Sequence, residues 1–187
     1  MITTKKELKA YLQADLERFG GRGPGLKDRI LHNEVWYIYR YIRHLRYVEY
    51  HKGKQGWHKL AFLYHWYKYK HLGFKLHFTI YPGTCGPGLR VYHAGGFVHV
   101  GADCRIGKNC TLLPGVVFGN KYEQASEAPI VVGDDCYFGL NVAIFGPVII
   151  GNNVIVGANS VITKDIPDHA IVAGSPARVI RINDKDK

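Results

Sequence analysis

Apolar side chains in the second half of the chain recur every six residues: Val100, Ile106, Leu112 and Phe118, then Val132, Phe138, Ile144, Ile150, Val156 and Ile162. Glycine follows six of them, with Asp or Asn two places later, in GAD (101–103), GKN (107–109), GDD (133–135), GLN (139–141), GNN (151–153) and GAN (157–159). An amphipathic helix would need apolar positions three and four apart, which this stretch lacks. The spacing instead predicts short strands, each sending one apolar residue inward. Asn or Asp would occupy the corners, because both tolerate left-handed backbone. Repetition at a fixed short period predicts a solenoid: a parallel β-helix built of hexapeptide repeats. The polar segment Asn120–Pro129, NKYEQASEAP, breaks the phase and predicts an outward loop over 120–131, since its residues cannot fill a coil interior.

The first half follows another rule. Thr4 and Glu7 have the spacing of a capping box, and Leu8, Leu12, Leu16 and Phe19 follow at helical intervals. GGRGPG (20–25) ends that helix. From Leu26 to Leu76 the sequence is aromatic and basic and predicts two helices with a break at His51–Gly56. The chain thus divides into a helical region, 1–78, and a repeat region, 79–187.

Charge sharpens the division. Residues 1–78 hold sixteen Lys or Arg against six Asp or Glu, whereas 79–187 hold nine of each, so the net +10 belongs to the helical part. The helices either pack on the coils or meet an anionic surface, since Lys interleaved with Trp and Tyr suits a headgroup interface. No nucleic-acid-binding module accompanies the charge, so nucleic acid is not an expected partner. The four cysteines (85, 104, 110, 136) show no CxxC spacing, no apolar run approaches a spanning helix, and charges at positions 5, 6, 7 and 9 oppose a signal peptide. A cytoplasmic location is expected, with peripheral contact at the inner membrane face as the further expectation.

His93, in LRVYHAGGFVHVG (89–101), is the chemical candidate. It has three roles open to it: a polar residue at a coil corner, a metal ligand with His99 and His169, or a general base. Zinc sites use at least three protein ligands and His169 lies far along the chain, so no metal is expected.

IYPGTCGPGLRVYHAGG (80–96), the coils, and DIPDHAIVAGSPARVI (165–180) together resemble the hexapeptide-repeat acyltransferases, specifically their serine acetyltransferase-like branch, over residues 79–182. The resemblance implies a mainly β fold, a left-handed parallel β-helix, assembled as a homotrimer with sites between subunits. It implies acetyl-CoA as co-substrate, and His93 as the base that takes a proton from an acceptor hydroxyl. It places the cofactor track at Gly139, Ala158, Ser160, Lys164 and Arg178. Acceptor contacts fall to Thr79, Tyr92 and, from the loop, Tyr122 and Glu127, with Glu123 a further loop candidate.

Three departures from that branch bear on substrate. Thr79 and Tyr92 stand where serine acetyltransferases carry aspartates, and Glu127-Ala128 stand where they carry Arg-His. His93 is therefore expected to lack a carboxylate partner and to be oriented by a hydroxyl or a main-chain carbonyl. Serine's two charges lose their matching groups, and a sugar hydroxyl in surface-polysaccharide synthesis becomes the expected acceptor. Serine acetylation is the alternative. A non-catalytic β-helix scaffold is the alternative of another class.

Overall fold

A computed structural model describes residues 2–120 and 129–183. Four helices come first: α1 (Lys5–Glu17), α2 (Leu26–Ile30), α3 (Glu34–His51) and α4 (Trp57–Leu76). The capping box at α1 forms as expected: Glu7 N–H donates to Thr4 Oγ1, and Glu7 Oε2 accepts from Thr4 N–H. The two helices expected over 26–76 are α3 and α4. The short α2 ahead of them was not anticipated; Asp28 accepts from Gly25 N–H and closes its first turn.

The repeats wind around three faces. Strands β1 (Phe78–Ile80), β3 (Val98–Val100), β6 (Val117–Asn120), β9 (Ala143–Gly146) and β12 (Val161–Ile162) stack in parallel as one face. The second comprises β4 (Cys104–Ile106), β7 (Ile130–Val132) and β10 (Val148–Ile150). The third comprises β2 (Arg90–Val91), β5 (Thr111–Leu112), β8 (Tyr137–Phe138), β11 (Ile155–Val156), β13 (Ala170–Gly174) and β14 (Ala177–Ile182), with β14 alone antiparallel. Every residue of the six-residue series is buried. Five of the six expected corners are left-handed, at Asn109, Asp135, Asn141, Asn153 and Asn159. Asp103 is not among them; its turn closes through Cys104 N–H to Gly101 O. Ile144 pairs with Ile162 eighteen residues on, whereas Phe118 pairs with Ile144 twenty-six residues on, so the sequence between β6 and β7 is eight residues longer than one coil requires.

One apolar core runs from the helices into the coils. The junction is polar. Arg46, fully buried, donates to Asp15 (2.8 Å), to Glu49 (3.3 Å) and to the carbonyls of Cys85 and Gly86. Asp15 also accepts from Gly88 and Leu89 N–H, and Glu49 from Gly83 N–H. Burial alone would disfavour the guanidinium charge, but Asp15 and Glu49 more than offset it and hold the Arg46 pKa above its ordinary value. Tyr41 and Tyr69, stacked at 5.3 Å, grip the first strand: Ile80 N–H donates to Tyr41, and Tyr69 donates to Ile80 O. Helices and first coil therefore share one core and one polar junction, despite their different sequence textures.

Candidate active site

His93 sits at the corner between β2 and β3 with φ of +54°, the left-handed conformation that Asn and Asp supply on other coils. Its side chain is two-thirds exposed (66%), so the corner does not consume the ring. Nδ1 lies 2.7 Å from Glu34 Oε1, and Ala94 N–H donates to Glu34 Oε2 at 2.9 Å. The expectation that no carboxylate supports His93 is overturned: the acid comes from the first turn of α3. Asn33 caps that helix by accepting from Val35 N–H, which places Glu34 at the helix start, where the macrodipole favours negative charge. The Ala94 amide first, and then His93, hold the Glu34 carboxyl below its usual range. An ionised carboxylate only accepts, so Nδ1 carries the imidazole proton and Nε2 presents its lone pair.

Tyr92, the neighbouring residue, is exposed, with its ring 6.2 Å from that of His93. Arg90 packs against it. Its guanidinium lies over the rings of Phe19 (3.9 Å) and Tyr92 (4.6 Å), with Nε and Nη1 buried and without a hydrogen-bond partner among the described residues. The two glycines after His93 have separate duties. A side chain on Gly96 would overlap Pro114 of the next coil, whereas Gly95, at φ +96°, faces open space. Thr79 pairs in register with His99 on the first face and lines a cavity of about 400 Å³ with Phe74, Phe97 and Lys70. Tyr122 and Glu127 lie outside the described residues, as does Glu123.

The residues expected along acetyl-CoA divide. Gly139 and Ala158 lie at the His93 edge on later coils; a side chain on Gly139 would press the Ala158 backbone at 2.8 Å. Arg178, exposed on β14, pairs with Ala173 at the far end of that edge. Lys164 is exposed at the next corner, after β12. Ser160 is a correction. Its hydroxyl is buried, donates to Gly157 O at 2.6 Å and accepts from Gly174 N–H, so the side chain closes the coil and is not offered to a ligand. Sequence reasoning missed Glu34, Arg90 and Phe97. Glu34 carried a local signal as a first-turn acid, but nothing local linked it to position 93.

The hexapeptide repeat of succinyl-transferase, as a family model, matches residues 98–121 and 129–164. These coils carry the hexapeptide repeat of that family. The chain is 39% identical over 93 residues to galactoside O-acetyltransferase of Escherichia coli (strain K12), covering 44% of this chain and 46% of that protein. It is 34% identical over 107 residues to serine acetyltransferase of Bacillus pumilus (strain SAFR-032), covering 57% and 49%. The chain thus spans about half the length of these curated relatives. Serine acetyltransferase from Brucella abortus strain S19 in complex with coenzyme A superposes with TM-score 0.75 at 23% identity, over 96% of this chain and 70% of that one. The Neisseria gonorrhoeae serine acetyltransferase in complex with serine gives 0.67 at 26%, over 95% and 70%. The fold is the left-handed parallel β-helix with an N-terminal helical region.

Proposed function

We propose that this protein transfers an acetyl group from acetyl-CoA to a hydroxyl of a neutral acceptor of the sugar class, with His93 as general base. The observation that carries the proposal is the Glu34–His93 pair, which holds one tautomer and aims Nε2 outward at an open corner. Nε2 takes the acceptor's O–H proton as that oxygen bonds to the thioester carbonyl carbon. The tetrahedral intermediate collapses with C–S cleavage, and the CoA thiolate receives the proton from His93. The products are the O-acetyl ester and free CoA. The Gly139 and Ala158 edge offers small residues along which the pantetheine arm can lie, and Lys164 and Arg178 offer charge to its phosphates. The likeness to hexapeptide-repeat acyltransferases supports assembly as a homotrimer.

The sugar-class acceptor draws support from exposed aromatic faces at Tyr92, Tyr81 and Phe97, and from the galactoside-acetylating relative. Serine is the second reading, favoured by the overall likeness to the serine-bound structure. CoA release measured with L-serine and a panel of sugars and glycosides at matched concentrations separates them. A sugar should exceed serine by at least tenfold; serine ahead by that margin overturns the acceptor, and no release with any hydroxyl overturns the reaction.

A further inference from the structure

Between α3 and α4 four histidines form a ladder that the acetyl-transfer site does not use. His44 Nδ1 meets His65 Nδ1 at 2.8 Å, His65 stacks on His51 with ring centroids 5.8 Å apart, and His51 Nδ1 meets His58 Nδ1 at 2.8 Å. Protons in the first pair are fixed from one end. Arg40 Nη2 lies 3.4 Å from His44 Nε2, and a guanidinium only donates. His44 therefore carries its proton on Nδ1 and gives it to His65 Nδ1, which leaves the His65 proton on Nε2.

His44, His51 and His65 line a cleft of about 370 Å³ with Arg40, Arg43, Tyr47, Trp57 and Tyr64. Its lining offers donors and cations with no acid to match. No Asp or Glu occurs between Glu49 and Asp103, and the two acids of α3 are committed elsewhere: Glu34 to His93 and Ala94, Glu49 to Arg46 and Gly83. Among the described residues neither Arg40 nor Arg43 has a carboxylate at ion-pair distance. Burial first, then Arg40, pushes His44 down to about 3; burial, His51 and the two arginines push His65 down to about 4. The cleft resists any further positive charge, and an anion would relieve it.

We propose that this cleft binds a phosphoryl group, held by Arg40, Arg43 and the Nε2–H of His65. Two guanidiniums three residues apart on one helix, with a third donor opposite, suit a tetrahedral anion with several acceptor oxygens. Trp57 and Tyr64 at the cleft continue onto an exposed stripe of α4 that includes Leu60 and Tyr67, 73% and 63% exposed. The body attached to the phosphoryl group is therefore apolar or aromatic. Phospholipid headgroups and soluble phosphoesters both have that chemistry.

Titration of the full chain with inorganic phosphate, with phosphatidic acid vesicles and with phosphatidylcholine vesicles tests the site, read by calorimetry and by ¹⁵N shifts of the histidine rings. Saturable phosphate binding that moves the His65 Nε2 resonance, and weakens at least tenfold in R40Q/R43Q, is the expected result. Tighter binding to phosphatidic acid vesicles, competed by phosphate, identifies a lipid source; phosphate binding without vesicle binding identifies a soluble one. The proposal is overturned by absence of saturable binding, or by binding to phosphate or vesicles that R40Q/R43Q leaves within twofold. Circular dichroism checks the fold of that variant, and R43Q alone, expected to lose several-fold, serves if the double variant unfolds.

Discussion

The coils and the helical layer solve the same burial problem by different means. In the coils each turn repeats one instruction: an apolar residue inside, a small or Asn/Asp corner, and backbone hydrogen bonds to the turns above and below. Stability there is distributed and each turn depends on its neighbours. The helical layer shares the apolar core of the coils and adds a few specific polar links, chiefly Arg46 with Asp15 and Glu49, and the tyrosine grip on Ile80. It also supplies Glu34 to His93. A repetitive frame supplies positions, and the non-repeating layer decides what the chemistry at one of them will be.

The largest test of that division is at the join. His93→Ala should lower turnover by roughly 10²–10⁴ with the fold intact. Glu34→Gln should lose about 10²-fold or more by releasing the tautomer, mostly in kcat. Glu34→Asp should restore part of the rate, and the pH–rate profile should change shape in Glu34→Gln. Unchanged kcat and profile in Glu34→Gln would mean that the helical layer is only a support.

Next in size are the stability tests. Arg46→Ala leaves Asp15 and Glu49 buried without their cation and should cost about 3–5 kcal/mol in urea unfolding. Ile144→Ala, in the middle of the coils, should cost about 2–5 kcal/mol, and Ile144→Val only about 0.5–1.5. The difference should appear in how unfolding proceeds. Arg46→Ala should detach the helices first, seen as tryptophan fluorescence changing before far-UV ellipticity of the β-structure, whereas Ile144→Ala should shift both together. Coincident transitions in both variants would erase the distinction.

Acid should also act on the helices before the coils. His44 and His65 have folded pKa values lowered to about 3 and about 4, while an unfolded chain titrates near the ordinary value of 6.5. Below that value the unfolded state binds more protons. Their contribution is therefore fully present above about pH 6.5 and is lost progressively toward pH 4 and below. The melting temperature should fall over that window, and His44→Gln/His65→Gln should flatten the fall. The smallest effect is at the chain's start: Thr4→Ala removes the α1 cap and should cost about 1 kcal/mol, with no change in turnover.

By itself the sequence determined what depends on local periodicity. Inward residues such as Ile144 and Val156, corners such as Asn141 and Asn153, the capped first helix and the break after His51 all follow from spacing and backbone preference, which neighbours along the chain decide. His93 was legible as a candidate because its ring chemistry and its glycines are adjacent. Tertiary structure alone decided the rest. Whether Ser160 faced a ligand or the coil interior depended on the Gly157 and Gly174 backbone closing around it. Arg46 is one of sixteen basic residues in the helical region, and only Asp15, thirty-one residues away, and the Cys85 and Gly86 carbonyls enclose it. The acid that partners His93 stands at neither position 79 nor position 92 but at position 34, on a helix. A hydrogen bond over that sequence distance leaves no mark in periodicity or composition, because only the packing of α3 against the first coil brings its two ends together.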